Sequence, residues 1–246
     1  CFRAMAEISE QIGKDGSVYR AEYEKLTAVI EKFFWDEEKG AYIDSFTSGR
    51  RNVTRHANIF AILFSIADET KQEKILKNVL ENDEIPAITT PYFNFFELDV
   101  LCRMGKLTEV LDKIRSYWGG MLDLGAVTFW EEYDPSVPKE EQYDMYGDHF
   151  GKSLCHAWAA SPIYFLAKYF AGLDLVNKDG VTYILKPQMQ YFTELDCTLP
   201  VGSNGVMRLV WDGEILEITP NVDGGILELG EQKLSLVRGE TRRVKI

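Results

Sequence analysis

Two carboxylates stand beside a tryptophan in the run Ala126-Val127-Thr128-Phe129-Trp130-Glu131-Glu132-Tyr133-Asp134-Pro135. A histidine and a second tryptophan follow in Gly151-Lys152-Ser153-Leu154-Cys155-His156-Ala157-Trp158. A carboxylate in a cleft can take a proton from water, and a ring beside it can lie against the apolar face of a sugar. Trp-Glu-Glu alone also fits a solvated acidic loop. Two features weigh against that reading. The segment Gly119–Phe150 is long and broken by Pro135 and Pro138, and long segments inside compact domains tend to carry function. It is also rich in rings: Phe129, Trp130, Tyr133, Tyr143, Tyr146 and Phe150. On these residues alone, Glu131 and Glu132 are both candidates.

Other polar groups sit in apolar surroundings. The pattern places His156 at or near the N-terminal end of a buried helix, where a packed core histidine and a site histidine are both open. Trp158 shares that ambiguity. Glu97 and Asp99 interrupt the otherwise apolar run Tyr92–Met104. A buried charge is costly unless it is paired or faces a wet cavity, and of the two Glu97 is the one assigned to the pocket. His56 and Asn58 open another apolar helix and are expected to be structural. Cys1, Cys102, Cys155 and Cys197 are far apart, and no His, Asp, Glu or Cys group has ligand spacing. No metal and no cofactor are expected.

The elements that position these groups show a repeating pattern. Residues 1–12 carry Phe2, Met5, Ile8 and Ile12 at helical spacing, closed by Gly13 and Gly16. Ser17 caps a second helix with the stripe Tyr23, Leu26, Ile30, Phe33 and Phe34. Residues 35–52 read as a turn region with a short hairpin over Ala41–Phe46. Thr54 caps a segment, His56–Ala67, that is apolar nearly all round, and an amphipathic helix follows at Lys71–Asn82. The pair repeats as Tyr92–Met104, then Leu107–Trp118. Short connections make each pair antiparallel neighbours. A buried helix followed by an amphipathic one, twice over, suits two concentric rings of helices, an α/α toroid. An α-solenoid would give a similar pattern. Leu154–Phe170 is again apolar all round, and Pro162 should kink that helix or mark its effective start.

At Gly172 the period falls from about 3.6 to 2. Val181–Leu185, Tyr191–Leu199, Val206–Trp211, Glu214–Thr219, Ile226–Leu229, Lys233–Val237 and Thr241–Ile246 read as short antiparallel strands. Asp212-Gly213 signals a two-residue hairpin. The boundary falls near residue 175, giving a helical domain over 1–174 and a β-domain over 175–246. The net charge of −12 argues against nucleic acid and anionic membranes as partners, which favour Lys/Arg surfaces. No apolar run approaches the ~18–20 residues of a membrane span, and no signal peptide opens the chain. The first residues read as the interior of a helix, so the chain is expected to be cut from a longer one. Its compartment stays open between cytoplasm and periplasm.

Thr128-Phe129-Trp130-Glu131, followed by Ser153-Leu154-Cys155-His156-Ala157-Trp158-Ala159-Ala160-Ser161-Pro162, resembles the bacterial α-L-rhamnosidases. Arg55-His56-Ala57-Asn58, Tyr92-Phe93-Asn94-Phe95-Phe96-Glu97-Leu98, Gly205–Trp211 and Thr219-Pro220 extend the resemblance over essentially the whole chain. It implies the second half of an (α/α)6 barrel followed by an antiparallel β-sandwich. It also implies an inverting glycosidase whose general base falls on Glu131. Trp130, His156, Tyr92, Glu97 and Trp158 become the candidates for holding rhamnose. The family's general acid lies in an Asp-Cys-Pro-Gln-Arg-Asp-Glu stretch that this chain lacks. The resemblance therefore implies the C-terminal part of an enzyme, inactive alone, whose partners are an N-terminal remainder and a rhamnose-containing carbohydrate. A glucoamylase-like (α/α)6 hydrolase and a non-catalytic sugar-binding domain are the alternatives.

Overall fold

A computed structural model describes residues 1–178 and 181–246. The chain forms two compact units, Cys1–Val100 and Leu101–Ile246.

In the first unit, α1 (Phe2–Gln11) packs on α2 (Ser17–Phe34), and Gly13 at φ 71° turns the chain between them. The capping at α2 is done by Asp15 rather than by Ser17. The Asp15 carboxylate accepts from the Ser17 amide and hydroxyl, both at 2.9 Å, which holds that carboxyl below its ordinary range. Strands β1 (Trp35–Asp36) and β2 (Ala41–Tyr42) form a hairpin that starts earlier than the expected Ala41–Phe46. Asp36 sets its turn by accepting from the Glu38 and Lys39 amides at 3.1 Å.

Helix α3 (Arg55–Leu63) is buried through Asn58, Ile59, Ala61 and Ile62, whereas α2 buries no residue. Asn58 is structural. Its Oδ1 accepts from the Tyr42 amide at 2.8 Å and its Nδ2 donates to the Tyr42 carbonyl at 2.9 Å, so β2 is tied to α3. Thr54 begins α3, yet its hydroxyl donates to Asp44 at 2.7 Å instead of capping. Helix α4 (Glu69–Ile75) is capped by Asp68 and lengthened by a π-helical turn, Leu76–Leu80. The boundary between the units falls within α5 (Pro91–Arg103).

In the second unit, α6 (Leu107–Lys113) passes through a π-helical turn, Ile114–Trp118, into α7 (Gly119–Asp123). After a long irregular segment comes α8 (Ser161–Phe165), continued by a third π-helical turn, Leu166–Phe170. The helix expected over Leu154–Phe170 is therefore shorter. Of the two roles open to Pro162, marking the start is the one adopted, because proline without an amide proton fits only the first turn. His156 consequently precedes the helix, in extended backbone, followed by a single 3-10 turn at Ala157–Ala159.

Gly172, at φ 79°, turns the chain from helix to sheet. Ten strands in all, β1 and β2 included, are assigned among the described residues. The eight beyond Gly172 are β3 (Leu173–Lys178), β4 (Val181–Leu185), β5 (Leu195–Val201), β6 (Gly205–Trp211), β7 (Ile215–Pro220), β8 (Gly225–Leu229), β9 (Gln232–Leu236) and β10 (Arg242–Lys245). They make two four-stranded sheets, ordered β10-β7-β6-β5 and β3-β4-β8-β9. Pairing is antiparallel except between β4 and β8, which run parallel. Strand β3 escapes the sequence reading because it follows the helix with only Gly172 as punctuation. The turn after β6 is also one residue further on than Asp212-Gly213. Asp212 faces Ile215, Gly213 and Glu214 form the loop, and the Asp212 carboxylate accepts from the Glu214 and Ile215 amides.

Both sheets feed one apolar core. Tyr183, Leu185, Leu227 and Leu236 come from one sheet; Val201, Met207, Leu209, Trp211, Leu216 and Ile218 come from the other. Alternation of buried and exposed residues along β6 is what a two-sided strand requires. A Cβ at Gly172 would meet the Lys186 carbonyl oxygen at 2.0 Å, in a backbone region that side chains avoid. Gly172→Ala is expected to destabilise the protein by about 2 kcal/mol or more in urea unfolding. An unchanged midpoint would show that the junction tolerates a side chain.

Candidate active site

The site begins with backbone. Residues 129–131 run beside 153–156: the Glu131 amide donates to the Ser153 carbonyl at 2.9 Å, and the His156 amide donates to the Phe129 carbonyl at 2.7 Å. The Thr128 hydroxyl donates to the Leu154 carbonyl and extends the pairing. Glu131 and His156 are far apart in sequence and adjacent in space for this reason.

Glu131 is only 8% exposed, so its charge must be met by donors. The Ser153 amide donates to Oε2 at 3.2 Å, and the Tyr146 hydroxyl donates to Oε1 at 3.0 Å. His156 Nδ1 stands 4.0 Å from Oε2, too far for a hydrogen bond. The imidazole lies against the Trp158 ring with centroids 4.2 Å apart and planes tilted by 32°. Trp158 is 45% exposed, so the pair presents an aromatic surface beside the carboxylate.

Buried groups from the same unit hold the segment in shape. Tyr117 and Trp118 end the π-helical turn after α6, and both point inward. The Tyr117 hydroxyl accepts from the Tyr133 amide at 3.1 Å; Trp118 Nε1 donates to the Ala159 carbonyl at 2.8 Å. Gln142 is buried and donates to the carbonyls of Asp134 and Val137 at 2.6 and 2.8 Å. Lys152 is buried as well. Burial pushes its ammonium below the ordinary range, opposed by the carboxylates of Glu132, Asp134, Asp144 and Glu131.

The predicted residues fall into two groups. Glu131, Trp130, His156 and Trp158 come together in the second unit. Trp130, however, is only 3% exposed and packs on Tyr143 at 5.6 Å, so its indole serves the interior of the loop rather than an open surface. Tyr92 and Glu97 belong to the first unit. Tyr92 is partly exposed and packs edge-on against Phe93 and Phe96. Glu97 is buried and paired with Arg55 Nη1 at 3.1 Å, which is the paired solution for a buried charge rather than the wet-cavity one. Tyr146, the Ser153 amide and Lys152 are site groups that sequence reasoning did not single out. Tyr146 is legible only as one ring among several, and a backbone amide leaves no signal in residue type.

A mainly apolar hollow of about 850 Å³ lies between α8 and the strands, lined by Ile163, Tyr164, Leu173, Phe192, Leu195 and Leu199 among others. None of the residues assigned to chemistry lines it. Among the described residues, no group of His, Cys, Asp and Glu could hold a metal ion, and no helix is long and apolar enough to cross a membrane.

Residues 1–170 match the family described as the bacterial alpha-L-rhamnosidase 6 hairpin glycosidase domain. The chain belongs to that family. A rhamnosidase from Klebsiella oxytoca with rhamnose bound is 30% identical over 63% of this chain and 29% of its own, with a TM-score of 0.56. A GH78 family rhamnosidase of Bacillus sp. GL1 is 23% identical over 88% of this chain and 23% of its own, with a TM-score of 0.69. An alpha-L-rhamnosidase from Dictyoglumus thermophilum is 20% identical over 92% and 26%, with a TM-score of 0.65. The latter two carry the likeness of fold through the sheet region. No curated protein matches the chain. The chain spans about a quarter of the length of these solved rhamnosidases. The fold is a six-hairpin glycosidase helical region followed by sheets.

The Arg55–Glu97 pair gives a direct test of placement. Glu97→Ala leaves a buried guanidinium without its counter-charge and should cost about 3–5 kcal/mol in equilibrium unfolding. A loss below about 1 kcal/mol would mean that Glu97 is not a structural partner and would return it to the candidates for sugar contact.

Proposed function

We propose that this chain is the base-bearing, C-terminal part of an enzyme that removes terminal α-L-rhamnose from glycosides or polysaccharides with inversion. The observation that carries the reading is the Glu131 carboxylate, buried yet held as an acceptor by two donors, with His156 facing it and Trp158 exposed alongside. Family membership supports a glycosidase, and the Klebsiella relative with bound rhamnose supports that sugar class. On this reading the helical domain spans 1–174 and a β-sandwich domain spans 175–246.

Glu131 takes the proton of a water as that water attacks the anomeric carbon. Its two donors hold one orientation of the carboxylate. His156 and Trp158 hold the sugar. Trp130, buried against Tyr143, belongs to the interior of the loop that carries Glu131. Inversion needs a second carboxyl group, as general acid, about 6.5–9.5 Å from the base. That acid is supplied from outside these 246 residues, and the 246 residues alone are inactive.

The complete enzyme, tested on an aryl α-L-rhamnoside, should lose at least about 100-fold in kcat on Glu131→Gln while still binding L-rhamnose. Near-wild-type turnover would refute the assignment and pass it to Glu132. Full binding in the absence of any turnover by the unaltered complete enzyme would favour the sugar-binding alternative instead.

A further inference from the structure

The segment between Glu131 and His156 contains a small hairpin that the base reading does not by itself require. Met145 and Asp148 exchange backbone hydrogen bonds, at 3.1 and 3.0 Å, around the two-residue tip Tyr146-Gly147. Both tip residues have positive φ, 57° and 83°. A two-residue turn of this kind favours Asn-Gly or Asp-Gly, because short polar side chains and glycine tolerate the left-handed region. Tyrosine is a poor choice there on backbone grounds. Burial does not compensate, since Tyr146 is 80% exposed. What the residue does obtain is one contact: its hydroxyl reaches Glu131 Oε1 at 3.0 Å.

Strain of this kind persists where surrounding structure enforces it and clusters at functional sites. The enforcement is visible nearby. The Lys152 amide donates to the Tyr143 carbonyl at 3.1 Å and the Gly151 amide to the Asp148 carbonyl at 3.1 Å, closing the base of the hairpin. Tyr143 in turn stacks on Phe150 at 6.1 Å and packs on Trp130, the neighbour of Glu131. The carboxylate is thus gripped at both oxygens, by a rigid backbone amide on Oε2 and by the tip of this hairpin on Oε1.

We infer that Tyr146 is a positioning residue for the base: its hydroxyl, presented by the left-handed hairpin tip, fixes the orientation of the Glu131 carboxylate. This rests on the reading of Glu131 as the base. The hydrogen bond to the Glu131 carboxylate also holds the Tyr146 phenol above its ordinary range, which keeps the hydroxyl a donor near neutral pH. A carboxylate fixed in one plane keeps one of its two remaining lone pairs directed at the attacking water. A carboxylate gripped at one oxygen alone can rotate away.

The test uses the complete enzyme and an aryl α-L-rhamnoside, with four variants in one assay. Tyr146→Phe removes only the hydroxyl and should lower kcat about ten-fold with KM changed less than about two-fold. Tyr146→Asn should lower kcat to the same extent yet raise the thermal midpoint, because asparagine suits the left-handed tip. Glu131→Gln should lower kcat at least about 100-fold, and adding Tyr146→Phe to it should cause no further loss of the residual turnover. Full kcat in Tyr146→Phe, with Glu131→Gln impaired to that extent, would overturn the positioning role and leave the base assignment standing. A rise in KM at unchanged kcat would overturn it too, by showing that the ring contacts substrate. Near-wild-type turnover in Glu131→Gln would instead refute the base reading on which the inference rests.

Discussion

A carboxylate removed from water must be given donors, and in the second unit the segment from Thr128 to His156 meets that demand for Glu131. The demand is met largely by backbone. Pairing of 129–131 with 153–156 brings the Ser153 amide onto Oε2, and the same pairing brings His156 opposite the carboxylate. Lose that register and the charge is left unsatisfied, the histidine swings away and the hairpin tip has nothing to grip. Neutral hydrogen bonds contribute about 1 kcal/mol each, but leaving a buried charge unpaired costs considerably more. The pairing is therefore held by the energetic penalty of its absence as much as by its own strength.

The elements around the site explain why an irregular segment can be this specific. Its ends are fixed by helices: the π-helical turn at Ile114–Trp118 lets consecutive rings, Tyr117 and Trp118, both point inward and anchor opposite parts of the segment. Its middle is fixed by Gln142, whose amide spans two carbonyls. Pro162 then allows α8 to start late, which leaves 154–160 outside the α-helix, with His156 extended and Ala157–Ala159 in a single 3-10 turn. In the first unit the same principle appears in another form: Asn58 joins a hairpin to α3, and Arg55 neutralises Glu97 in the interior.

Much of this was legible in residue types. The helix pairs follow from apolar periodicity, because a helix with neighbours on most sides needs carbon on most sides. The strands beyond Gly172 follow from alternation, apart from β3, whose start is hidden by a one-residue junction. Glu131, His156 and Trp158 could be associated through their setting and resemblance. What could not be read was anything carried by backbone. The Ser153 amide is the clearest case, and the positive φ of Tyr146 is another, since tyrosine advertises no such conformation. Burial was the other blind spot. Trp130 reads as a sugar-binding ring in sequence yet is packed on Tyr143, and Glu97 reads as a buried charge whose partner, Arg55, residue types do not reveal.

In the proposed mechanism Glu131 acts on water as a base rather than on the sugar as a nucleophile. The stereochemistry of the first product decides between these roles. A proton NMR time course of aryl α-L-rhamnoside hydrolysis by the complete enzyme should show β-L-rhamnose appearing first, with the α-anomer growing in only by mutarotation. Initial release of α-L-rhamnose would mean retention through a glycosyl-enzyme intermediate, and would contradict Glu131 as the base of an inverting site.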